Sequence, residues 1–244
     1  MKLSMGSTMF IPLVLVLFIK GAQSASFEFQ NQCAQTIWVG TLSGAGSPPL
    51  SLTGFELKSG GSTYLDAPAT WSGRFWGRTG CTTDPTTGAF RCATGDCGSG
   101  KIECNGAGGA PPATLVEFTL GRTDFYDTSL VDGYNVPVMV SDRGRHCRAT
   151  GCARDVNEVC PRELSVVGGG GEVIACMSAC VAFGDPKYCC TGAYGGPGTC
   201  KPTNYSRVFK NACPLAYSYA YDDLSSTFTC AGGGDYLVVF CPAP

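Results

Sequence analysis

Residues 88–104 read GAFRCATGDCGSGKIEC, and this stretch is the most informative part of the chain about its fold. It contains three cysteines and four glycines but few large apolar side chains. The wider segment 79–113, with four cysteines and eight glycines, has the same character. Because such a segment has little apolar surface to bury, we expect local disulfide bonds to hold it together.

The whole chain has 16 cysteines among 244 residues. This content predicts an oxidising compartment, where cysteines form disulfides rather than bind metals as thiolates. The even number predicts eight bridges with no cysteine left over, but counting leaves about two million pairings open. Cys189 and Cys190 are adjacent. Since a bridge between neighbours would be strained, we expect them to have different partners.

Composition and charge exclude several classes of protein. Charged residues make up 15% of the chain, which is too few for a coiled coil, and the hydrophobic fraction of 44% is too high for a disordered chain. His146 is the one histidine in the sequence, which excludes a multi-histidine metal site. The net charge of −2 argues against a nucleic-acid partner. We expect no metal and no organic cofactor.

The first 24 residues have the pattern of a secretory signal peptide. Lys2 precedes the apolar run Phe10–Ile19, and the small residues at 22–24 favour cleavage after Ser24, with Ala25 as the alternative. The run is too short for a transmembrane helix, which needs about 20 apolar residues. The mature chain, residues 25–244, has 15 basic and 19 acidic residues and a charge of −4. We expect a secreted protein without a stable membrane anchor.

Short segments with alternating or β-branched residues predict a mainly β structure, either a sandwich or a barrel. The predicted strands lie at 26–30, 36–39, 55–58, 63–65, 73–76, 113–120 and 136–140. Phe75 and Trp76 are predicted to be core residues. Short helices are predicted at Val156–Leu164 and Glu172–Phe183, with a further turn at Tyr205–Phe209. The end of the chain, 227–240, is predicted to be a β-hairpin that closes the sheet.

The spacing Gly88-x-Phe90-x-Cys92-x-Thr94-Gly95-Asp96-Cys97 resembles the signature of the thaumatin-like proteins, a plant pathogenesis-related family. The resemblance extends over the whole mature chain, and the number of cysteines agrees with it. Other segments that resemble the family are 73–81, 111–115, 124–127, 129–133, 188–190 and 216–223.

The resemblance implies a flattened antiparallel β-sandwich flanked by two lobes. The core sandwich would comprise residues 25–78, 114–153 and 214–244, the looped lobe 79–113, and the disulfide-rich helical lobe 154–213. The bridges that the resemblance implies are Cys33–Cys241, Cys81–Cys92, Cys97–Cys104, Cys147–Cys230, Cys152–Cys213, Cys160–Cys176, Cys180–Cys189 and Cys190–Cys200. Long bridges of this kind contribute up to about 4–5 kcal/mol each, so resistance to heat, acid and proteases is expected.

The resemblance also implies a cleft lined by acidic residues. The matching positions are Arg74, Glu117, Asp127, Asp132 and Asp222, although the adjacent Asp223 leaves the last assignment open. Carboxylates accept hydrogen bonds from sugar hydroxyls, and aromatic rings offer apolar faces to sugar rings. Aromatic residues near these acids in the sequence, above all Phe125 and Tyr217, are candidates for the same groove. The alternative is that loop carboxylates are solvated or cap turns.

Two functions follow from the resemblance. The first is a secreted antifungal defence protein that binds cell-wall β-1,3-glucan in the cleft. The second is a weak endo-β-1,3-glucanase, in which Glu117 would donate the proton and Asp127 would act as base or nucleophile. A third class, inhibition of a foreign hydrolase, has no support in these residues. The resemblance further implies allergenicity. We expect an apoplastic location, with the vacuole as the alternative, and a monomer, because no heptad pattern or apolar patch stands out in the sequence.

Overall fold

Two β-sheets packed face to face form the centre of the computed structural model, which describes residues 24–144, 146–232 and 234–243. Residues 1–23 of the predicted signal peptide lie outside the described residues. The first sheet has the order β11-β10-β15-β1-β4 and consists of β1 (Ala25–Asn31), β4 (Ser62–Ala67), β10 (Val138–Asp142), β11 (Thr150–Cys152) and β15 (Tyr236–Phe240). The second has the order β14-β9-β8-β5-β2-β3 and consists of β2 (Ile37–Ser43), β3 (Gly54–Leu57), β5 (Ser72–Arg78), β8 (Leu115–Thr119), β9 (Thr123–Ser129) and β14 (Phe228–Ala231).

The pairing within both sheets is antiparallel, except that β1 and β15 run parallel. The prediction of a mainly β, antiparallel fold is therefore confirmed. The smaller elements are the strand pairs β6 (Thr82–Thr83) with β7 (Phe90–Arg91) and β12 (Ser165–Val167) with β13 (Val173–Cys176), and the helices α1 (Ala179–Phe183), α2 (Pro186–Cys189), α3 (Asn204–Ala212) and α4 (Asp223–Ser226).

Aromatic side chains fill the space between the two large sheets. Alternation along β1 places Phe27 and Phe29 on its inner face, where both are fully buried. The Phe27 ring lies 4.8 Å from that of Phe118 and 4.9 Å from that of Phe75, centroid to centroid. The Phe27–Phe118 pair is edge-to-face, and such a pair stabilises a core by about 0.5–1.5 kcal/mol beyond the area that it buries. Phe75 is a core residue, as predicted.

Two smaller clusters of buried residues lie outside the sandwich core. One joins the segment 97–113 to the outer face of the second sheet, where Trp76 and Leu115 pack with Cys97 and Cys104. The indole N–H of Trp76 donates to the Gly95 carbonyl over 2.8 Å, which satisfies its buried donor. The other cluster centres on Leu164 and Phe209 in the cysteine-rich region.

All sixteen cysteines are paired, and the eight bridges have the partners that the family resemblance implies. The adjacent Cys189 and Cys190 bond to Cys180 and Cys200, respectively. The Cys33–Cys241 bridge joins positions 208 residues apart and ties the end of β1 to the end of β15.

The predicted helix Glu172–Phe183 is wrong in its first half. Its β-branched start forms β13, which pairs with β12, and only α1 is helical, beginning after the N-cap Ser178. The hairpin turn is closed by a hydrogen bond from Gly168 N–H to the Glu172 carbonyl. The prediction fails because a strand and a short helix follow each other closely, so that their apolar residues together have a spacing similar to that of one helix.

The predicted helix Val156–Leu164 is also interrupted. It consists of two short 3-10 turns, Val156–Val159 and Arg162–Leu164, separated by Cys160 and Pro161. Proline lacks the backbone N–H that a continuing helix would need. The turn predicted at Tyr205–Phe209 is confirmed as part of α3, which begins with a capping box between Thr203 and Ser206.

The predicted terminal β-hairpin is wrong, because β14 and β15 belong to different sheets. Phe228 of β14 pairs with Tyr126 of β9, whereas Tyr236 of β15 pairs with Phe27 of β1. The glycine-rich link therefore crosses from one layer of the sandwich to the other. Within the described ranges, no helix is long and apolar enough to cross a membrane.

Candidate functional site

A row of three charged side chains crosses the outer face of the second sheet. Arg74 of β5 lies directly opposite Glu117 of β8, which lies directly opposite Asp127 of β9. Their neighbours Phe118 and Tyr126 point into the core, so the alternation of a strand turns the three charged residues outward. Residues far apart in the sequence thus become cross-strand neighbours, with Cβ atoms about 4.5–5.5 Å apart.

An open groove runs across this row, and we call it the acidic groove. Arg74, Glu117 and Asp127 belong to both of its two halves. One half, of about 430 Å³, is also lined by Leu42, Ser43, Gly44, Ser72, Gly73, Phe118, Thr119 and Phe125. The other half, of about 370 Å³, is also lined by Leu115, Ser129, Val131, Asp132, Tyr217, Ala220 and Asp223.

The charges of the row compensate one another only in part. Arg74 Nη1 lies 4.0 Å from Glu117 Oε1, and both side chains are about 40% exposed. An ion pair of this exposure contributes about 0–1 kcal/mol to stability. Burial in the groove raises the pKa of Glu117; Arg74 opposes this rise and Asp132 adds to it.

Asp127 has the most perturbed carboxyl group of the groove. Burial raises its pKa to about 8, and the nearby carboxylates of Glu117 and Asp223 add to the shift. Its Oδ1 atom is buried and has no hydrogen-bond partner among the described residues. A buried, unsatisfied acceptor of this kind is uncommon and is favourable only when something else supplies the hydrogen bond.

Two aromatic residues flank the acidic row on opposite sides. Phe125 is 49% exposed in one half of the groove. In the other half, the Tyr217 hydroxyl donates to Asp223 Oδ1 over 2.9 Å and also contacts the Thr227 hydroxyl. Burial is the largest cause that raises the pKa of Tyr217 to about 12. The phenol therefore stays protonated at neutral pH and remains a hydrogen-bond donor.

The structure separates the adjacent acids Asp222 and Asp223. Asp223 lines the acidic groove. The carboxylate of Asp222, by contrast, accepts hydrogen bonds from the Ser218 N–H and hydroxyl over 3.0 and 2.8 Å, and its Oδ2 lies 2.9 Å from Lys210 Nζ. Its side chain is only 14% exposed. Asp222 thus ties the loop that carries Tyr217 and Asp223 to helix α3.

Other acids and aromatics near the set in sequence do not reach the groove. Asp124 is buried and accepts hydrogen bonds from the Tyr236 hydroxyl over 2.7 Å and from the Gly121 N–H over 2.9 Å. Tyr126 belongs to the sandwich core. The burial of Asp124 and Tyr126 follows from the alternation of β9, whose even-numbered residues face inward.

The Lys210–Asp222 pair gives a stability prediction. Lys210 Nζ also donates to the Ala216 carbonyl and the Ser226 hydroxyl, over 3.0 and 2.9 Å. Lys210→Met removes these bonds and leaves the Asp222 carboxylate without its cation, so we expect a loss of about 1–2 kcal/mol in the free energy of unfolding. The matched control is Lys201→Met, at an exposed lysine whose one hydrogen bond is to the Pro197 carbonyl.

Equilibrium unfolding in guanidinium chloride measures both variants against the wild type. Equal midpoints for Lys210→Met and Lys201→Met would contradict the assigned role of the partly buried Lys210–Asp222 pair.

One grouping of side chains has the composition of a metal site. Asp142 lies with Cys147 and Cys230 such that their ligand atoms are all within 4.8 Å of one another. Both sulfurs, however, belong to the Cys147–Cys230 disulfide. A disulfide sulfur has no thiolate charge to offer, so this grouping is not a suitable donor set for a metal ion.

Comparison with known proteins identifies relatives over nearly the whole chain. The model described as "Thaumatin family" matches residues 31–242. "Thaumatin-like protein 1" of Pyrus pyrifolia is 59% identical over 239 residues, which cover 95% of this chain and 98% of that protein. "Glucan endo-1,3-beta-glucosidase" of Prunus avium is 54% identical over 232 residues, covering 93% and 94% of the two chains.

Among solved structures, the β-1,3-glucanase domain (GH64) from Clostridium beijerinckii aligns with a TM-score of 0.53. The alignment covers 89% of this chain and 98% of that domain at 10% sequence identity. At this identity the likeness concerns the fold alone.

Proposed function

The chain belongs to the thaumatin family of defence proteins, and from this premise we propose that it is a secreted protein that binds β-1,3-glucan in the acidic groove. The observation that carries the proposal is the outward row Arg74–Glu117–Asp127 at the centre of an open groove. An open groove accepts an internal stretch of a polymer, whereas an enclosed cavity would accept only a chain end or a small molecule. The sixteen paired cysteines agree with an oxidising, extracellular or vacuolar location.

The chemistry of the groove suits a neutral polysaccharide. Carboxylate oxygens accept hydrogen bonds from sugar hydroxyls, and these charge-assisted bonds are stronger than bonds between neutral groups. The Arg74 guanidinium donates where a sugar oxygen accepts. Phe125 on one side and Tyr217 on the other offer ring surface to the apolar faces of the pyranoses. Binding to a glucan thus uses the carboxylates, the guanidinium and the aromatic rings that the groove presents.

Glu117→Gln tests this proposal. The substitution keeps the size of the side chain but removes its charge, and a hydrogen bond to a charged group contributes about 1.5–3 kcal/mol. We therefore expect the affinity for linear β-1,3-gluco-oligosaccharides to fall roughly 10- to 100-fold. Isothermal titration calorimetry measures the change. The matched control, Glu56→Gln, makes the same replacement on an exposed position of β3 in the same sheet, outside the groove.

Unchanged affinity in Glu117→Gln, or equal losses in both variants, would contradict the role of the groove. Absence of binding by folded wild-type protein would contradict glucan as the ligand.

A second candidate function, hydrolysis of the glucan, is favoured by the paired carboxyl groups. Retaining glycosidases hold two carboxyl groups about 5–5.5 Å apart, and one of them stays protonated near the working pH. Glu117 and Asp127 are directly opposed on adjacent strands, so both carboxyl groups lie on the same face of the sheet. The family resemblance implies that Glu117 is the proton donor. Burial instead favours Asp127, because its pKa is raised to about 8.

Release of reducing ends from purified linear β-1,3-glucan decides between binding and hydrolysis. Release by the wild type that is lost in both Glu117→Gln and Asp127→Asn identifies an enzyme that uses the pair. No release from folded wild-type protein leaves a binding protein. Equal release from wild type and variants identifies a contaminating glucanase.

A further inference from the structure

A second hollow, of about 720 Å³, lies beside the acidic groove between the β2–β3 loop and the segment 103–106. Its wall includes Leu42, Pro49, Leu50, Leu52 and Asn105. Its volume lies within the range of about 300–1,000 Å³ that is typical of ligand sites. We call this hollow the Leu52 annex.

The annex is continuous with the acidic groove at the end of β2. Leu42 and Ser43 line both hollows. The pairing of Leu42 with Arg74 places the Leu42 side chain on the same outward face as the charged row. A chain that occupies the half of the groove lined by Leu42 and Ser43 therefore reaches the annex by extending over these two residues.

Hydrogen bonds hold the walls of the annex in place. The Thr41 hydroxyl donates to the Leu52 carbonyl over 3.0 Å, and the Asn105 N–H donates to the Thr53 hydroxyl over 3.1 Å. The Ser43 hydroxyl donates to the Pro48 carbonyl over 2.8 Å. The Cys97–Cys104 bridge fixes the opposite wall. The hollow is therefore largely formed before any ligand arrives, which lowers the entropic cost of binding.

The annex differs from the acidic groove in its chemistry. Among the described residues that line it, Glu103 alone carries a charge. Leu52, which is 38% exposed, supplies apolar surface together with Leu42 and Pro49, while Ser47 and Ser51 supply hydroxyl groups. Apolar surface edged by hydroxyls suits the C–H faces and hydroxyl edges of neutral pyranose rings.

We propose that the Leu52 annex is a saccharide subsite that holds the glucosyl units continuing from the acidic groove. The inference rests on the proposed function, because it concerns the same polysaccharide. The proposal predicts that the affinity depends on the length of the oligosaccharide. Oligosaccharides short enough for the acidic groove gain nothing from the annex, whereas longer ones bind more tightly because they bury the apolar surface of Leu52 and Leu42.

The test compares affinities for linear β-1,3-gluco-oligosaccharides of increasing length in wild type and Leu52→Ser. Leu52 is exposed, so its replacement leaves the core unchanged. We expect unchanged affinity for the shortest ligand that binds, and a loss of roughly fivefold for the longest, since part of a leucine side chain no longer contacts the ligand. Val167→Ser is the control, because Val167 is an exposed aliphatic residue of β12 that lines neither hollow.

Two results would overturn the inference and are distinguishable from failure of the proposed function. Affinity that rises with length equally in wild type and Leu52→Ser, or that does not rise with length at all, would overturn the annex while glucan binding stands. Absence of binding of any length to wild type would overturn the proposed function and the annex together.

Discussion

Replacement of both Cys33 and Cys241 by alanine is expected to lower the free energy of unfolding by about 4–5 kcal/mol. The bridge joins residues 208 positions apart, so its removal frees a long stretch of the unfolded chain. With the seven other bridges in place, the shortest covalent connection between Cys33 and Cys241 is shorter than the full separation. It still contains on the order of 100 residues. In the chain-entropy model, closing a loop of this length accounts for most of the expected effect.

The location of the bridge supports the same expectation. Cys33 is 4% exposed and belongs to the sandwich core. It follows β1 and Cys241 follows β15, and these two strands are hydrogen-bonded neighbours in the middle of the first sheet. Loss of the bridge therefore acts on the part of the first sheet where β1 and β15 pair.

Equilibrium unfolding in guanidinium chloride under oxidising conditions measures the effect. The matched control replaces Cys180 and Cys189 by alanine, since that bridge closes a loop with a separation of only 9 residues. The chain-entropy model gives about 3 kcal/mol or less for such a loop. Equal losses in the two double variants would contradict loop length as the cause, and a smaller loss for the Cys33–Cys241 pair would reverse the expected order.

Local patterns predict many strands of the two large sheets, but they miss β9, which carries Asp127, and they do not predict how the strands assemble. Phe27 and Phe29 alternate with polar residues, and this alternation alone predicts the buried face of β1. Local patterns also predict the strands β14 and β15 individually. Their pairing partners, however, depend on which sheet each strand joins, and no local pattern determines this. A glycine-rich link is compatible both with a hairpin and with a crossover between sheets.

Local sequence patterns also do not predict which single residues meet in the acidic groove. Arg74, Glu117 and Asp127 were found through the family resemblance, and their juxtaposition depends on the register of three strands. Asp222 and Asp223 are chemically identical neighbours, so the sequence gives no reason to prefer one of them. The contact of Asp222 with Lys210, 12 residues earlier, separates their roles. The Leu52 annex had no sequence signal, because leucines and serines in a loop occur in most proteins.

Asp127→Asn is expected to stabilise the folded protein at neutral and alkaline pH while it impairs the groove. Burial raises the folded-state pKa of Asp127 from 3.8 to about 8. A carboxyl with such a raised pKa takes up a proton on folding, so the stability of the wild type falls as the pH rises from about 4 to about 8. Asparagine resembles the protonated acid but does not titrate. The variant therefore does not lose stability as the pH rises. The difference in the free energy of unfolding between Asp127→Asn and wild type grows from about pH 4 to about pH 8.

Burial is the largest cause of the raised pKa of Asp127, and the charged groups that face it modify the size of the effect. Glu117 and Asp223 raise its pKa, and Arg74, which pairs with Glu117 on the adjacent strand, partly compensates their charge. Each unit of pKa shift corresponds to about 1.4 kcal/mol. Because the groove is open to solvent, the free energy that corresponds to the whole pKa shift is an upper limit. We expect Asp127→Asn to raise the free energy of unfolding by on the order of 2–3 kcal/mol at pH 8 and by almost nothing near pH 4. A functional group that costs stability is typical of binding and catalytic sites.

Thermal and guanidinium unfolding of wild type and Asp127→Asn between pH 4 and pH 8 tests this expectation, with glucan affinity measured on the same preparations. Asp66→Asn on β4 is the control, since Asp66 is exposed and distant from the groove. A stability difference that does not change with pH would mean that Asp127 is ionised throughout. Its carboxylate would then serve as a hydrogen-bond acceptor for sugar hydroxyls, but the assignment of Asp127 as a proton donor in hydrolysis would have to be abandoned. A difference that grows with pH, together with weaker glucan binding, would show that the buried carboxyl costs stability and serves the ligand.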